Sequence, residues 1–355
     1  MAEKVLMKGN EAIAEAAIRA GCKMFFGYPI TPQTELAAYM AKRLPKIDGG
    51  VFLQAESEIS AINMVYGAAG AGARVMTSSS SPGISLKQEG ISYIAGADLP
   101  CVIVNIVRGG PGLGGIQPSQ SDYFQATKGG GHGDYHLFVI APASIQEIVD
   151  LTRHAFEIAD KYRIPSMIMG DGMIGQMMEP VVFPEDAVEE LPEKPWATSG
   201  TGMKRKRNII NSLYLKPDEL EKTVIERYER YKTIEENEAM VECVDTEDAD
   251  IIITAYGTIS RIAKTAKEIL SDMGIKAGII RPITLWPFPK QAYRSVAEAG
   301  KPILTVEMSM GQMVEDVKLA VECKTDVYFY GRTGGMVPTP YEIVSRVEKI
   351  LGGKR

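Results

Sequence analysis

The chain has 355 residues and carries 39 Lys and Arg against 45 Asp and Glu, a net charge of −6. Hydrophobic residues make up 45% and charged residues 24%, which argues against a disordered chain; no apolar run reaches the roughly 18 residues of a membrane span, and the acidic balance argues against nucleic-acid binding, which rests on neutralising phosphates. Cys22, Cys101, Cys243 and Cys323 lie too far apart for a zinc, disulfide or iron–sulfur motif, so no metal site is expected on this chain, and a reducing cytoplasm is the natural setting.

The N-terminal MAEKVLMKGNEA holds no long apolar run, so no secretory signal is expected. Asn10 reads as an N-cap for EAIAEAAIRA and Gly21 as its stop. A strand CKMFFGY, a loop YPITP and a helix PQTELAAYMAKRL follow. Next come a strand VFLQA, a small-residue helix from Ser57 to Ala73, a strand ARVMTSS, a Ser/Pro/Gly turn and a helix SLKQEGISYIAG. Strand CVIVNIV ends at Arg108 and a Gly-rich loop; strand HLFVIAP, helix SIQEIVDLTRHAFEIADKY and strand PSMIMG complete the series. Strands alternating with helices predict an α/β fold with a mostly parallel sheet flanked by helices, its chemistry in the loops after the strand ends. YPITP, TSSSSPG and RGGPGLGG all fall there. From about residue 178 the Pro-rich, charged stretch MEPVVFPEDAVEELPEKPWATSGTGMKRKR reads as a linker or surface excursion. A polar helix from Pro217 to Met240 follows, and ADIIITAYGT opens a second, smaller α/β unit. These shifts predict domains at 1–180 and 246–355, joined by a linker and polar helix at 181–245.

Each candidate motif has a functional and a structural reading. Gly110-Pro111-Gly112-Leu113-Gly114-Gly115 matches GxGxxG after a strand, but no helix opens at once to meet a pyrophosphate, so the structural reading is a loop over a cleft. The run Lys204–Arg207 reads as a solvated basic patch. Gly170-Asp171-Gly172 resembles the start of a thiamine diphosphate signature. The stretch where its paired Asn would fall, PEKPWATSGTG, holds none, so Asp171 reads as a strand end and turn. Glu58 stands at a helix start, where the dipole favours acids; the helix behind it, with Ala61, Gly67, Ala68, Ala69, Gly70, Ala71 and Gly72, allows another backbone or subunit to approach and a carboxyl to be buried. Thr31 reads as an N-cap with Pro32 at the first helical position, its hydroxyl still able to donate to a ligand oxygen. Arg108 suits bidentate capture of a carboxylate or a structural ion pair. His132, His136 and His154 have no ligand spacing.

Three spaced motifs, FGYPITPQTE, LQAESEISAINMVYGAAGAGARVMTSSSSPG and RPITLWPFP, resemble the α-type subunit of 2-oxoacid:ferredoxin oxidoreductases over essentially the whole chain. The loop RGGPGLGGIQPSQSDYFQATKGGGHGDY is most similar to the 3-methyl-2-oxobutanoate (2-ketoisovalerate) class. The resemblance implies a thiamine diphosphate pyrimidine-binding domain followed by a transketolase-C-like domain. It implies a cofactor shared with a partner subunit that carries the diphosphate and Mg2+, with a γ-type subunit and a ferredoxin-like subunit carrying iron–sulfur clusters. The reaction implied is oxidative decarboxylation of a branched-chain 2-oxoacid with CoA, reducing an external ferredoxin. Carried over by position, Glu58 meets the aminopyrimidine ring nitrogen, Thr31 and Arg108 meet the substrate, and Ser80, Ser81 and Gly83 line the cofactor. The alternatives are 2-oxoglutarate or pyruvate as substrate and, from another class, a nucleotide-binding module built on GPGLGG.

Overall fold

The structure, a computed structural model, describes residues 4–184 and 191–352. Apolar runs form strands and the amphipathic stretches between them form the helices that cover those strands. In chain order the first half comprises β1 (Val5–Lys8), α1 (Gly9–Arg19), β2 (Met24–Gly27), α2 (Thr34–Arg43), β3 (Val51–Gln54), α3 (Glu58–Gly70), β4 (Val75–Ser79), α4 (Ser81–Gly96) and β5 (Cys101–Val107). It continues with α5 (Tyr123–Thr127), β6 (Phe138–Ile140), α6 (Ile145–Tyr162), β7 (Pro165–Asp171), α7 (Gly172–Gln176) and β8 (Met178–Val181). The second half comprises α8 (Pro217–Asn237), β9 (Val241–Val244), β10 (Ile251–Thr254), α9 (Gly257–Asp272), β11 (Ala277–Pro282), β12 (Thr284–Trp286), α10 (Lys290–Glu298), β13 (Ile303–Glu307), α11 (Met313–Val321), β14 (Val327–Gly331) and α12 (Pro340–Gly352).

Seven strands form the first sheet in the order β12-β6-β7-β5-β4-β2-β3. All neighbours run parallel except β12, which is antiparallel to β6. The central β5 is buried at every position, which is why CVIVNIV is nearly continuous in apolar residues rather than alternating. A second sheet, β14-β13-β10-β11-β9, is parallel apart from β9. Strand β12 therefore belongs to the sheet built otherwise from the first half, and the larger buried core takes in Trp286, Phe288 and Tyr293 with it. Strands β1 and β8 form a separate antiparallel pair.

Helix starts differ from the expectation at three points. β1 runs straight into α1, so Lys8 is the N-cap and Asn10 sits inside the first turn. Its side-chain Nδ2 instead donates to the Pro32 carbonyl (2.8 Å) and to Glu35 Oε2 (3.2 Å). Helix α2 begins at Thr34 with Gln33 as N-cap, so Thr31 does not cap it and Pro32 lies ahead of it. The Ser/Pro/Gly stretch after β4 is no separate turn: Ser80 is the N-cap of α4, and Ser81, Pro82 and Gly83 form its first turn. Gly21 ends α1 as expected, with φ +80° and its N–H on the Ile18 carbonyl at 2.9 Å.

The Pro-rich stretch lies partly outside the described residues. Its start is not irregular, because Met178–Val181 is strand β8. Farther on, the chain returns over the small-residue end of α3: Thr198 N–H and Oγ1 both donate to the Gly70 carbonyl, and Ile210 lies 3.7 Å from where a Gly70 Cβ would stand. Part of the face open to a second subunit is thus covered by the chain's own arm. No helix among the described residues is long and apolar enough to cross a membrane.

Candidate functional site at the strand ends

β2 and β4 pair only through Met24–Val75 and Phe25–Met76, then part. Beyond that point β2 leads to β3 on one side and β4 to β5 on the other. A sheet opens a crevice where consecutive connections leave in opposite directions. The loops after β2, β3, β4 and β5 meet there, and they carry all six residues singled out from the sequence.

Glu58 is the first residue of α3, behind the N-cap Ser57, whose Oγ accepts from Ser60 N–H at 3.2 Å. It is only 6% exposed, and no described residue hydrogen-bonds its carboxyl. The carboxyl rests against Gly83 in the first turn of α4. A Cβ at Gly83 would stand 2.6 Å from Glu58 Oε1 and would overlap Ser79 Oγ. Ser79 and Ser80 are buried, and their hydroxyls have no hydrogen-bond partner among the described residues. Buried polar groups are normally paired, so the unpaired Ser79 hydroxyl beside the unpaired Glu58 carboxyl marks a place prepared for a polar ligand. The lack of a side chain at Gly83 keeps that place open. This cradle suits the polar edge of an aminopyrimidine.

Arg108 follows β5 and is 7% exposed. Its Nη1 donates to the Thr31 carbonyl (3.0 Å) and its Nη2 to the Leu113 carbonyl (3.2 Å), while its buried Nε has no partner among the described residues. It therefore ties YPITP to the Gly-rich loop and, of its five N–H donors, has some left over for an anion. Thr31 contributes its carbonyl to this tie, and the residue itself is exposed. Ser81 Oγ donates to Asp122 Oδ2 at 2.7 Å and lies 3.1 Å from the Arg108 N–H, so it steadies the Arg108 backbone. Asp122 also accepts from Asn105 Nδ2 (2.9 Å); burial pushes its carboxyl above the ordinary range against the pull of these two hydrogen bonds.

Gln33, Asn105 and Asp122 are site-shaping residues that sequence reasoning missed. Gln33 is fully buried and spans the crevice, accepting from Ser78 Oγ at 2.5 Å and donating to the Tyr28 carbonyl at 3.1 Å. Asn105 had a signal, as a lone amide within an apolar strand; Gln33 had none, because its role depends on β4.

The other motifs fall elsewhere. The GPGLGG loop curls on itself, with Gly115 N–H on the Gly109 carbonyl (2.9 Å) and Gly109 N–H on that of Gln117 (3.1 Å). No helix opens behind it to receive a pyrophosphate, and the nucleotide reading is not favoured. Asp171 caps α7, its Oδ1 accepting from Met173 N–H (2.8 Å) and Ile174 N–H (3.1 Å), while Oδ2 accepts from Thr258. Its carboxyl is pushed up by burial and is committed to joining β7 to α9, as a strand end and turn. His132 and the Lys204–Arg207 run are exposed.

The model for the thiamine-diphosphate-binding part of pyruvate flavodoxin/ferredoxin oxidoreductases matches residues 15–243, and that for core domain II of pyruvate:ferredoxin oxidoreductase matches residues 249–343. The chain belongs to this family of thiamine-diphosphate-dependent oxidoreductases. It is 50% identical over 347 residues to ketoisovalerate oxidoreductase subunit VorB of Methanothermobacter marburgensis, covering 98% of each chain. It is 37% identical over 379 residues to 2-oxoglutarate synthase subunit KorA of Methanothermobacter thermautotrophicus, covering 99% of this chain and 100% of the relative. Among solved structures, 2-oxoglutarate:ferredoxin oxidoreductase from Magnetococcus marinus superposes with a TM-score of 0.87 at 27% identity; the match covers 98% of this chain and 65% of that longer one.

Proposed function

We propose that this chain is the α-type subunit of a 2-oxoacid:ferredoxin oxidoreductase that acts on 3-methyl-2-oxobutanoate. The substrate decarboxylates, its acyl group passes to the CoA thiol, and the electron pair leaves to ferredoxin. The observation that carries this reading is the buried Glu58 carboxyl, against Gly83 and beside the Ser79 hydroxyl, with no hydrogen-bond partner among the described residues. The choice of branched-chain acid rests on 50% identity to a ketoisovalerate subunit against 37% to a 2-oxoglutarate one.

Bound thiamine diphosphate supplies a carbon nucleophile and an electron sink for decarboxylation. Glu58 holds a proton at its carboxyl and shares it with the aminopyrimidine ring nitrogen, the general acid–base part of the chemistry. Ser80 and Gly83 shape the cradle around that ring. The free Nε of Arg108 meets the substrate carboxylate, and Thr31 lies beside it. Asp171 is already spent on α7 and Thr258, which supports placing Mg2+ and the diphosphate on a partner subunit. A γ-type subunit and a ferredoxin-like subunit with iron–sulfur clusters complete the assembly. Exposed Tyr28, Leu53, Ile59 and Leu86 on the elements around the crevice suit a protein partner there. The exposed free thiols of Cys243 and Cys323 suit a reducing cytoplasm.

The test is turnover of the assembled complex with 3-methyl-2-oxobutanoate, 2-oxoglutarate and pyruvate in parallel. The branched-chain acid is expected to give the highest kcat/KM, and Glu58→Gln is expected to cut turnover by about 10²-fold or more with assembly intact. Preference for 2-oxoglutarate overturns the substrate assignment; near-parent turnover by the Glu58 variant overturns the site.

A further inference from the structure

Lys87 lies wholly buried on α4, an unusual place for a side chain that is almost never buried unless paired. Its Nζ donates to Thr77 Oγ1 at 3.1 Å, and no carboxylate among the described residues comes within ion-pair distance. The surroundings give this charge a direction. Lys87 stands four residues after Gly83, one helical turn along, so both face the same way. Thr77 and Ser79 likewise point to one side of β4, roughly 7 Å apart. Ser79 and Gly83 enclose the Glu58 carboxyl, while Thr77 and Lys87 form the next layer inward. The ammonium and that carboxyl thus lie on the same side of α4 and β4, beyond ion-pair reach of each other, with the Lys87 end fully buried. Glu58 is the charged group whose field acts on it, and Thr77 offers only a neutral hydroxyl.

We propose that Lys87 is a positioning residue for proton transfer by Glu58: its buried ammonium stabilises the Glu58 carboxylate left when the shared proton moves to the aminopyrimidine ring nitrogen. This rests on the reading of Glu58 given above. The proton leaves Glu58 Oε and arrives on the ring nitrogen; Lys87 exchanges nothing and acts by its field, which favours the charged form of a nearby carboxyl. Burial lowers the Lys87 pKa to about 8, against the opposing pull of Glu58, so the ammonium form prevails at neutral pH. A purely packing role would be filled as well by Met, which carries no desolvation cost.

The experiment follows deuterium exchange at the thiazolium carbon of thiamine diphosphate bound to the assembled complex, by acid quench and NMR, with no 2-oxoacid present. Lys87→Met is expected to slow exchange about tenfold or more, the loss of one charge–charge interaction worth about 1.4 kcal/mol. Thiamine diphosphate affinity and thermal stability should be retained, and Lys87→Arg should recover most of the rate. Should the Met variant not assemble, Lys87→Gln, which keeps a donor for Thr77 without the charge, makes the same comparison. Exchange at the parent rate in the uncharged variant, with Glu58→Gln slow, overturns the role of Lys87 and leaves that of Glu58 standing. Exchange at the parent rate in Glu58→Gln overturns the reading beneath both.

Discussion

A single missing side chain keeps the crevice open. At Gly83 even a methyl group would overlap Ser79 Oγ and stand 2.6 Å from Glu58 Oε1. Gly83→Ala is therefore expected to displace the carboxyl, costing about 1–3 kcal/mol of stability by overpacking. It should lower turnover of the complex at least tenfold, by about the effect of a misplaced general acid. Denaturant unfolding and turnover check the two parts separately, and normal turnover contradicts the cradle. Glu58 and Arg108 stand out in the sequence as candidates because each breaks a local pattern: an acid opening a small-residue helix, a guanidinium ending an apolar strand. Gln33 and Lys87 were not legible, because their partners Ser78 and Thr77 lie on a different element. The contacts of Thr31 and Ser81 were not legible either: the first offers its carbonyl to Arg108, and the second steadies the Arg108 backbone, and Arg108 is distant from both in sequence.

Among the elements, α8 is the one whose sequence says least about where it belongs. It is polar along most of its length and buries little beyond Arg227, Tyr231 and Ile234. Arg227 is 5% exposed, with Nε on Asp98 Oδ1 and Nη2 on the Gly96 carbonyl, each at 3.0 Å. Arg230 also pairs with Asp98. Two basic residues one turn apart thus clasp the end of α4. Removing Arg227 leaves the Gly96 carbonyl without this donor, so Arg227→Ala should cost about 1–3 kcal/mol in denaturant unfolding. Lys222→Ala, at an exposed pair with Glu226 on the same helix, should have no measurable effect. Equal effects would mean that α8 is held some other way. The helix was predictable from its composition; its docking was not, because Asp98 is far away in sequence. Helix interiors and the apolar strands were read well for the converse reason, that their periodicity is local. Helix starts were read less well. Asn10 and Thr31 have capping chemistry, but β1 and Gln33 decide where those helices begin.

At the scale of the whole molecule, the two halves meet around Trp286 of β12. His136 stacks on its ring with centroids 4.6 Å apart, and Tyr231 of α8 closes the group edge-on. Burial holds the imidazole of His136 below its ordinary value of 6.5. The unfolded chain therefore takes up this proton first as pH falls. The associated stability is fully present above about pH 6.5 and is lost as pH drops through the folded-state value. Melting temperature should accordingly fall less steeply on acidification from neutral pH in His136→Gln than in the parent; parallel curves would remove His136 from the account. Alternating strands and helices pointed to an α/β chain with mostly parallel sheets. The crossing of β12 into the first sheet was not legible, because three residues carry too little pattern to name a sheet.

Strand β3 ends the seven-stranded sheet with one side unpaired among the described residues, and Val51 and Leu53 lie exposed along it. Such an edge is a template for unintended pairing with other chains. Colloidal behaviour of the chain on its own therefore turns on this edge: a charged residue in place of Val51 or Leu53 is expected to lower self-association, as light scattering would show.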